Sequence, residues 1–345
     1  MQAVYLTGYG GLDRLRVVND APVPVPAVGE VLVRVGACGI NNTDLWTREG
    51  AYGEGEQAAW MGQAFTFPRI QGLDAVGQIV AVGADADRYR LGQRVMVNSC
   101  LYAGGGDGLE GLQVVGSERD GGFAQFLCVP GENALAIRSS FSDAELATFM
   151  TPYMTAEHML RRAGVSAGER VLVTGASGGV GSALVQLALL RGAEVVAVCS
   201  QAKLSAVRAL GAHTVIAREQ GDYRTSLMAL GVMPPFDVVA DIVAGEQAAQ
   251  CLDLLRHGGR YVTAGAVAGA MVRVDWRRLY LKQLSLFGVT MGTAADAQVI
   301  VQHIEAGRLR PLLAGSFPLE DIARAQQVFA TRSHVGSLVL LPPTG

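Results

Sequence analysis

The chain has 345 residues, of which 50% are apolar and 17% are charged, and its formal net charge is −3. This length exceeds what one hydrophobic core usually serves, so the sequence predicts two domains. The small negative charge and the high apolar content argue against binding to nucleic acid, binding to a membrane surface and intrinsic disorder. A small molecule is the expected partner.

The spacing of the cysteines and the first ten residues of the chain indicate the cellular compartment of the protein. The cysteines are odd in number and scattered, and none forms a C-x-x-C pair, so neither a disulfide framework nor a zinc knuckle is predicted. They are Cys38, Cys100, Cys128, Cys199 and Cys251. The first ten residues resemble a strand rather than a signal peptide, and Gln186 and Arg191 interrupt the longest apolar helix. A soluble, cytoplasmic protein is therefore expected.

Short strands separated by glycine and aspartate turns dominate residues 1–135, which predicts a barrel-like β domain. The stretch 30–35 (EVLVRV) alternates polar and apolar residues, whereas 75–83 (AVGQIVAVG) is almost continuously apolar and is expected to be buried. Near residue 140 the spacing of apolar residues changes from the alternation of strands to the three- to four-residue repeat of helices. The first of these helices has Ser142 as its expected N-cap, with Glu145 three residues later.

Strands alternate with helices over residues 136–311, which predicts a parallel, doubly wound sheet of the Rossmann type. A helix is expected over 246–258 (EQAAQCLDLLRHG), and a sixth strand is expected within 282–292 (KQLSLFGVTMG). The tail, 312–345, contains an apolar strand that fits the first domain better than the edge of this sheet. The predicted fold is α/β, with the Rossmann domain inserted into a β-barrel domain formed by 1–135 and the tail.

A strand, a glycine turn, a helix and a second strand follow one another in residues 171–198 (VLVTGASGGVGSALVQLALLRGAEVVAV). The turn fits the dinucleotide fingerprint, with Ala176, Gly178 and Gly181 at its three small-residue positions. Free N–H groups and the positive end of the helix dipole would stabilise a pyrophosphate. A plain glycine turn is the alternative, but the flanking strands and helix favour a dinucleotide site. The predicted pyrophosphate-binding residues are Ala176, Gly178, Gly179, Val180 and Gly181.

The cofactor preference is predicted from the end of the second strand. An NAD-preferring site has Asp or Glu there for the ribose 2′-hydroxyl, whereas this chain has Ser200. Lys203 follows within reach and Arg218 ends the next predicted strand, so two cations can converge on a 2′-phosphate. This favours NADPH over NADH; the alternative is that both side chains are ordinary solvated charges. Val243 and Gly265 follow later strands and are predicted to lie on the nicotinamide side.

Seven segments occur in the order typical of one family. They are PAVGEVLVRVGACGINNTDLW, PRIQGLDAVGQIVAVG, GQRVMV, DGGFAQFLCVP, TAEHML, GERVLVTGASGGVGSALVQLA and HVGSLVLL. Over essentially its whole length the chain resembles the medium-chain dehydrogenases/reductases, which include zinc alcohol dehydrogenases and zinc-free quinone oxidoreductases. The resemblance implies a GroES-like β domain built from both chain ends around a Rossmann domain. It also implies a homodimer that pairs edge to edge through 284–292 (LSLFGVTMG).

The chain departs from the zinc-binding pattern of that family. Zinc members place a Cys, a His-Glu pair and a further Cys or acid around the catalytic metal. The matching positions here hold Asn41, Leu73, Asp74 and Thr151. A leucine cannot bind a metal, and an amide and a hydroxyl are poor zinc ligands. The structural-zinc lobe is replaced by 100–111 (CLYAGGGDGLEG), with Cys100 alone. Both zinc sites are expected to be absent, as in the quinone oxidoreductase-like branch.

The expected reaction follows from that departure. Oxidising an alcohol requires its proton to leave, and zinc acts as the Lewis acid for the alkoxide. Without zinc, the easier reaction is hydride transfer from NADPH to an electrophilic carbon, such as the β-carbon of an enone or a quinone. Two alternatives stay open. One is an alcohol dehydrogenase or carbonyl reductase of the same superfamily that binds a metal through substitute ligands such as Asp74 and Cys38, and the other is a non-catalytic NADPH-binding protein.

Few side chains can donate a proton or a hydrogen bond to the reacting atoms. Asn41 matches an asparagine that zinc-free relatives place near the nicotinamide, and Tyr52 matches a substrate-side tyrosine of quinone reductases. Tyr153, near the domain junction, is a second phenol, and Thr155 beside it is a candidate cofactor contact. Either tyrosine can instead be a loop or core aromatic with a satisfied hydroxyl. Asp44 is expected to cap the helix that it opens.

The segment 50–68 is longer than in compact quinone reductases. Its apolar side chains Trp60, Met61, Phe65 and Phe67 are expected to line or cover the substrate pocket. Composition does not give the shape of that pocket, so the sequence leaves the substrate unnamed.

Overall fold

The computed structural model describes residues 1–52, 65–85, 91–102 and 111–344. The strands are β1 (Ala3–Leu6), β2 (Leu15–Val18), β3 (Glu30–Gly39), β4 (Arg69–Ile70), β5 (Asp74–Val82), β6 (Arg94–Val97), β7 (Cys100–Leu101), β8 (Gln113–Val114), β9 (Phe126–Pro130), β10 (Ala134–Ala136), β11 (Arg170–Val173), β12 (Glu194–Cys199), β13 (Thr214–Ala217), β14 (Phe236–Asp241), β15 (Leu255–Thr263), β16 (Ser285–Gly288), β17 (Leu313–Pro318) and β18 (Ser337–Leu341). The helices are α1 (Asn42–Glu49), α2 (Asp143–Leu146), α3 (Met150–Arg162), α4 (Gly179–Leu190), α5 (Leu204–Arg208), α6 (Tyr223–Ala229), α7 (Gln247–Leu254), α8 (Trp276–Lys282), α9 (Ala294–Glu305) and α10 (Ile322–Thr331). None of the helices in these described ranges is long and apolar enough to cross a membrane.

The chain divides into two compact units. One consists of residues 1–151 and 293–345, and the other of residues 152–292. These units have their borders after residues 151 and 292, whereas the sequence analysis placed the domain borders after residues 135 and 311. The first unit is larger than predicted because it contains two segments that the helical period assigned to the second.

Packing explains why those two segments belong to the first unit. Helix α2 packs against β3 and β5, and its first residue, Asp143, forms an ion pair with Arg94 on β6. At the end of α9, Glu305 accepts a hydrogen bond from the Arg138 N–H at 2.9 Å. The change in hydrophobic periodicity near residue 140 therefore shows where the helices begin. It does not show the border between the units, because that border depends on which sheet the helices pack against.

The first unit is built mainly from antiparallel strands around β3. In its described part the largest sheet has the order β10, β6, β5, β3, β18, β17, and β9 also pairs with β3. Strand β18 lies antiparallel to β3, with Val339 opposite Gly39. This pairing places the tail strand in the first unit, as predicted. Val31 and Val33 on β3 are fully buried and contribute to the core of this unit.

The second unit contains a parallel sheet with the order β13, β12, β11, β14, β15, β16, and its backbone is described throughout. Val171 on β11 lies opposite Val195 on β12 and Val238 on β14, and all three are fully buried. From the central pair β11 and β14, the sheet is extended by β12 and β13 on one side and by β15 and β16 on the other. Sheets of this topology bind ligands at the carboxyl ends of those central strands. The predicted doubly wound Rossmann sheet is confirmed.

One predicted element ends earlier than expected. The helix predicted over 246–258 stops at Leu254, and the chain continues directly as β15. Leu255 pairs with Phe236 on β14, and the Arg256 guanidinium contacts the Asp237 carboxylate at 2.5 Å. These contacts with β14 favour an extended backbone for a stretch whose local pattern favours a helix.

Candidate cofactor-binding and active site

The turn between β11 and α4 has the close packing that the dinucleotide fingerprint requires. A Cβ on Gly181 would lie 2.1 Å from the carbonyl oxygen of Gly175, so only glycine allows this helix to approach the strand end. Gly175 itself has φ +60°, a left-handed conformation that favours glycine. The Ala176 N–H donates to the Val198 carbonyl and ties the turn to β12. Gly175 is a functional position that the fingerprint omits, although it directly precedes the motif.

The N-terminus of α4 is open to a ligand. Gly178 is its N-cap, and Gly178, Gly179 and Val180 are half-buried rather than buried. The nearest heavy atom to a Cβ on Gly178 would be 3.6 Å away, so the protein leaves room beside this backbone. The first N–H groups of a helix have no acceptor within the helix, and with the helix dipole they favour an anion. This end of the 12-residue helix can therefore hold a pyrophosphate.

The end of β12 brings together the residues predicted to select the cofactor. Ser200 is half-buried after the strand, and Lys203 lies one short turn later. Cys199 at the end of β12 lies opposite Ala217 at the end of β13, so Ser200 and Arg218 follow neighbouring strand ends. Burial and the Arg218 charge lower the pKa of Lys203. Glu219, which the sequence analysis did not consider, forms an ion pair with Arg218 at 3.2 Å. In the sequence, Glu219 directly follows Arg218, and this adjacency of opposite charges could have indicated the ion pair.

A buried carboxylate organises the carboxyl ends of the central strands. Asp241, the last residue of β14, is 1% exposed and accepts hydrogen bonds from the Thr174 and Tyr261 hydroxyls. It also accepts from the Val243 N–H at 2.8 Å and from the Ala244 N–H at 3.2 Å. The loop that contains Val243 is therefore fixed by three strands. In the sequence, Asp241 ends the apolar strand FDVVAD, and an acidic residue at that position could have indicated that it holds the following loop.

Gly265 lies in the neighbouring loop after β15. The Ala268 N–H donates to the Val243 carbonyl at 2.8 Å, so this loop is joined to the one after β14. A Cβ on Gly265 would lie 3.1 Å from the Ile242 carbonyl oxygen. The two predicted nicotinamide-side residues thus lie in hydrogen-bonded loops at the carboxyl edge of the sheet.

Tyr153 and Thr155 lie on α3 in the second unit. Tyr153 is 2% exposed, and its hydroxyl accepts a hydrogen bond from the Gln186 amide at 2.7 Å. Burial raises the pKa of this phenol well above its usual value. The geometry favours the interpretation of Tyr153 as a core aromatic rather than as a proton donor. Thr155 is also buried.

In the first unit, the positions that match zinc ligands form a hydrogen-bonded cluster. The Asn41 side-chain amide donates to Asp74 Oδ2 at 3.0 Å, and the Thr151 N–H donates to Asp74 Oδ1 at 2.7 Å. Asn41 is the N-cap of α1, and its own N–H donates to Asp44 Oδ2 at 2.8 Å. The N-cap of α1 is therefore Asn41 rather than Asp44, and Asp44 is the N3 residue whose carboxylate completes a capping box. We call Asn41, Asp44, Asp74 and Thr151 the polar cluster.

The polar cluster does not fit the zinc that the family resemblance implies. The Asn41 nitrogen is directed at Asp74 as a donor, and a donor cannot also ligate a metal. Leu73 is buried and apolar. The described ranges contain no group of three or more His, Cys, Asp or Glu side chains arranged to hold a metal ion. Most of the segment that replaces the structural-zinc lobe, residues 103–110, lies outside the described residues.

The polar cluster has an unusual protonation chemistry. Burial raises the pKa of Asp44 to about 7, and the charge of Asp74 contributes to the increase. Burial raises the pKa of Asp74 to about 6, although hydrogen bonds from Thr151 and Asn41 act against it. Burial and the two carboxylates together raise the pKa of the Cys38 thiol well above its usual value. Near neutral pH the cluster can therefore hold a proton on a carboxyl group.

Tyr52 lies just beyond α1. Its hydroxyl is hydrogen-bonded to the Thr43 side chain, and burial raises its pKa to about 12. Its ring packs edge-on against Trp46, with 5.9 Å between centroids. A phenol with this pKa stays protonated at neutral pH, so Tyr52 can donate a proton but cannot act as a base. Thr43 is a partner that the sequence analysis did not identify.

Part of the predicted pocket segment can be located. Trp60 and Met61 lie outside the described residues. Phe65 and Phe67 pack together with 5.0 Å between ring centroids, and Phe67 packs edge-on against Tyr9 at 4.9 Å. Their predicted role at the pocket stays a prediction, because these contacts serve packing within the first unit.

Comparison with known proteins gives consistent results. Residues 27–139 match the family described as alcohol dehydrogenase GroES-like domain, and residues 179–306 match the family described as zinc-binding dehydrogenase. The quinone oxidoreductase of Mus musculus is 28% identical, over 99% of this chain and 98% of that protein. A crystal structure of a provisionally assigned alcohol dehydrogenase from Sinorhizobium meliloti 1021 is 48% identical, with a TM-score of 0.94, and the match covers 99% of this chain and 97% of that one.

A third comparison is with the crystal structure of an NAD-dependent alcohol dehydrogenase. It is 30% identical, has a TM-score of 0.91, and the match covers 99% of both chains. The first family match lies within the first unit, and the second covers most of the second unit and continues into residues 293–306 of the first. The relatives are similar over nearly their full length. The chain therefore belongs to the medium-chain dehydrogenase/reductase superfamily of pyridine-nucleotide-dependent oxidoreductases.

Proposed function

We propose that this oxidoreductase uses NADPH to transfer hydride to an activated C=C bond of an enone or a quinone, without zinc. The observation that carries the proposal is the polar cluster. Asn41 and Thr151 donate to Asp74, so the positions that hold a metal in zinc relatives are already used in protein hydrogen bonds. With no Lewis acid for an alkoxide, reduction of an electrophilic carbon is the easier reaction.

The second unit offers several contacts for the nucleotide. The backbone of Gly178–Gly181 would hold the pyrophosphate, and Lys203 and Arg218 would bind the 2′-phosphate beside Ser200. Val243 and Gly265 would contact the nicotinamide side. NADPH supplies a hydride when it is bound. These residues bind and orient it.

Two side chains of the first unit can complete the reaction. Hydride addition to the β-carbon places charge on the carbonyl oxygen, and the α-carbon then takes a proton. Tyr52 is protonated at neutral pH and can supply that proton. The Asn41 amide nitrogen has two hydrogens, of which one is donated to Asp74, so the other is available to cofactor or substrate.

The experiment is a product analysis with a simple conjugated enone, NADPH and the purified protein. The saturated ketone is the expected product, and activity should persist in a chelator, with no stoichiometric zinc in the protein. An allylic alcohol with its C=C bond intact, or one tightly bound zinc per chain, would contradict the proposal. Such a result would support a carbonyl reductase or an alcohol dehydrogenase; the latter is the activity named for two of the similar solved structures.

A non-catalytic NADPH-binding protein is the second alternative. Oxidation of NADPH in the presence of several enones and quinones would exclude it. Tight NADPH binding without turnover of any of them would favour it over the enzyme.

We also infer that the protein forms a homodimer through β16. In the described residues β16 is an edge strand, paired with β15 alone. Leu286 on this strand is 47% exposed, and Trp276 and Tyr280 on α8 are 73% and 64% exposed. Exposed apolar side chains beside an open strand edge favour pairing with a second copy. Leu286→Lys should convert a dimer into a monomer by light scattering, and a monomeric parent would contradict the inference.

A cytoplasmic location is part of the same proposal. All five cysteines lie in the described ranges and none of them forms a disulfide, which is typical of a reducing compartment. Cell fractionation that recovers the protein outside the cytoplasm would contradict it.

A further inference from the structure

The predicted 2′-phosphate site contains an acidic side chain that binding of a phosphate does not require. Glu219 Oε1 lies 3.2 Å from Arg218 Nε. Glu219 Oε2 accepts a hydrogen bond from the Gln201 N–H at 3.0 Å. Gln201 and Lys203 belong to one short turn after β12, so the carboxylate joins the two segments that contain the two cations. Glu219 is therefore held beside Arg218 rather than extended into water.

The charge of Glu219 changes the electrostatics of the site. Burial acts to raise the pKa of Glu219, but backbone N–H groups and the Arg218 guanidinium outweigh it and lower the pKa below its usual value. The carboxylate is therefore ionised at neutral pH. Lys203, Arg218 and Glu219 together have a charge of about +1 instead of the +2 that the two cations alone would provide.

We propose that Glu219 is a specificity-determining residue, an internal anion that competes with the 2′-phosphate of the cofactor for Arg218. The inference rests on the proposed NADPH site and deepens it. A 2′-phosphate beside Arg218 must share that guanidinium with the carboxylate, and two like charges at short range repel. NADH has a hydroxyl at this position, so Glu219 has little effect on it. The residue thus reduces the preference for NADPH.

The exposure of the pair makes the competition reversible. The Arg218 and Glu219 side chains are 60% and 48% exposed, and exposed ion pairs of this kind are weak. An incoming phosphate, with greater charge and more acceptor oxygens, can therefore displace the carboxylate. The repulsion that remains is screened by salt.

The test is Glu219→Gln, which removes the charge and keeps an oxygen that can accept the Gln201 N–H. The probes are 2′,5′-ADP and 5′-AMP, which differ in the 2′-phosphate, and the measurement is calorimetric titration at low salt. We expect Glu219→Gln to bind 2′,5′-ADP about 5- to 20-fold more tightly than the parent and 5′-AMP within about twofold. The gain should shrink at about 1 M salt. Glu132→Gln, at an exposed position of the first unit, is the matched control and should change neither affinity.

The possible results separate this inference from the NADPH proposal. If the parent prefers 2′,5′-ADP and Glu219→Gln binds it no more tightly, the inference is overturned and the NADPH proposal stands. If Glu219→Gln binds 2′,5′-ADP more weakly, Glu219 positions Arg218 for the phosphate, which also overturns the inference. If the parent shows no preference and Glu219→Gln acquires one, the inference is supported and the NADPH proposal fails.

Discussion

Replacing Asp44 by asparagine tests the protonation state of the polar cluster. Asp44 is 1% exposed, and burial raises its pKa to about 7. Asparagine has the same shape and keeps an oxygen for the Asn41 N–H. Its amide nitrogen would take the place of Asp44 Oδ1, which is buried and makes no hydrogen bond of good geometry in the described residues, although the nearby Gly72 N–H acts to lower the pKa of the carboxyl group. The substitution therefore removes the titration and retains the cap of α1.

The sign of the effect follows from the raised pKa. The folded protein keeps a proton that the unfolded chain, with the usual pKa of 3.8, releases. The contribution of Asp44 to stability is therefore complete below about pH 4 and is lost as the pH rises through about 7. Each pH unit between those values corresponds to about 1.4 kcal/mol. The parent should lose about 2.5 kcal/mol from this group between pH 5 and pH 8, and Asp44→Asn should not.

The assay is unfolding in urea, followed by circular dichroism at several pH values from 5 to 8. Asp74, whose pKa is raised to about 6, titrates in both proteins, so the difference between their unfolding free energies reports Asp44 together with its interaction with Asp74. Asp13→Asn is the control, since the Asp13 side chain is 74% exposed, and its curve should parallel that of the parent. If the curve of Asp44→Asn is also parallel, Asp44 ionises at its usual pH and the reasoning is refuted.

Four further substitutions test the cofactor site, the reaction and the packing of the dinucleotide turn. Lys203→Ala should weaken NADPH binding by about 1.5 to 3 kcal/mol and leave NADH binding nearly unchanged, whereas equal losses in titrations of both would count against a 2′-phosphate site. Tyr52→Phe should lower kcat about tenfold or more with a modest change in KM, and an unchanged kcat in steady-state assays would remove Tyr52 as the donor. Gly181→Ala should destabilise the fold in thermal melts, because its Cβ would lie 2.1 Å from a backbone oxygen. Gly178→Ala should fold normally but weaken NADPH and NADH alike, because its Cβ would make only an ordinary 3.6 Å contact within the protein and would occupy the space that a pyrophosphate needs. The opposite order of effects would show that the turn is packed differently.

The sequence by itself determines the features whose causes are local. Ser142 accepts from the Glu145 N–H, and Glu145 accepts from the Ser142 N–H, as the S-x-x-E pattern predicts. The glycine spacing of the dinucleotide turn predicts the contact between Gly181 and the strand end. The alternation of strands with helices predicts a parallel sheet, because each helix must cross over it.

Features that depend on distant residues need the tertiary structure. Asp241 accepts from Thr174 and Tyr261, which are 67 and 20 residues away in the chain, and no local pattern brings them together. The end of α7 is decided in the same way, because the ladder that Leu255 joins on β14 outweighs a local preference for helix.

The chemistry of the polar cluster is also a tertiary property. Asn41 and Asp74 are 33 residues apart, and Asp74 and Thr151 are 77 residues apart. The sequence predicts that these positions are poor zinc ligands, because that follows from the side chains alone. Their hydrogen bonds and the raised pKa values arise only when folding buries the two carboxyl groups. Removal from water favours the protonated form of both, and the charge of Asp74 also favours the protonated form of Asp44.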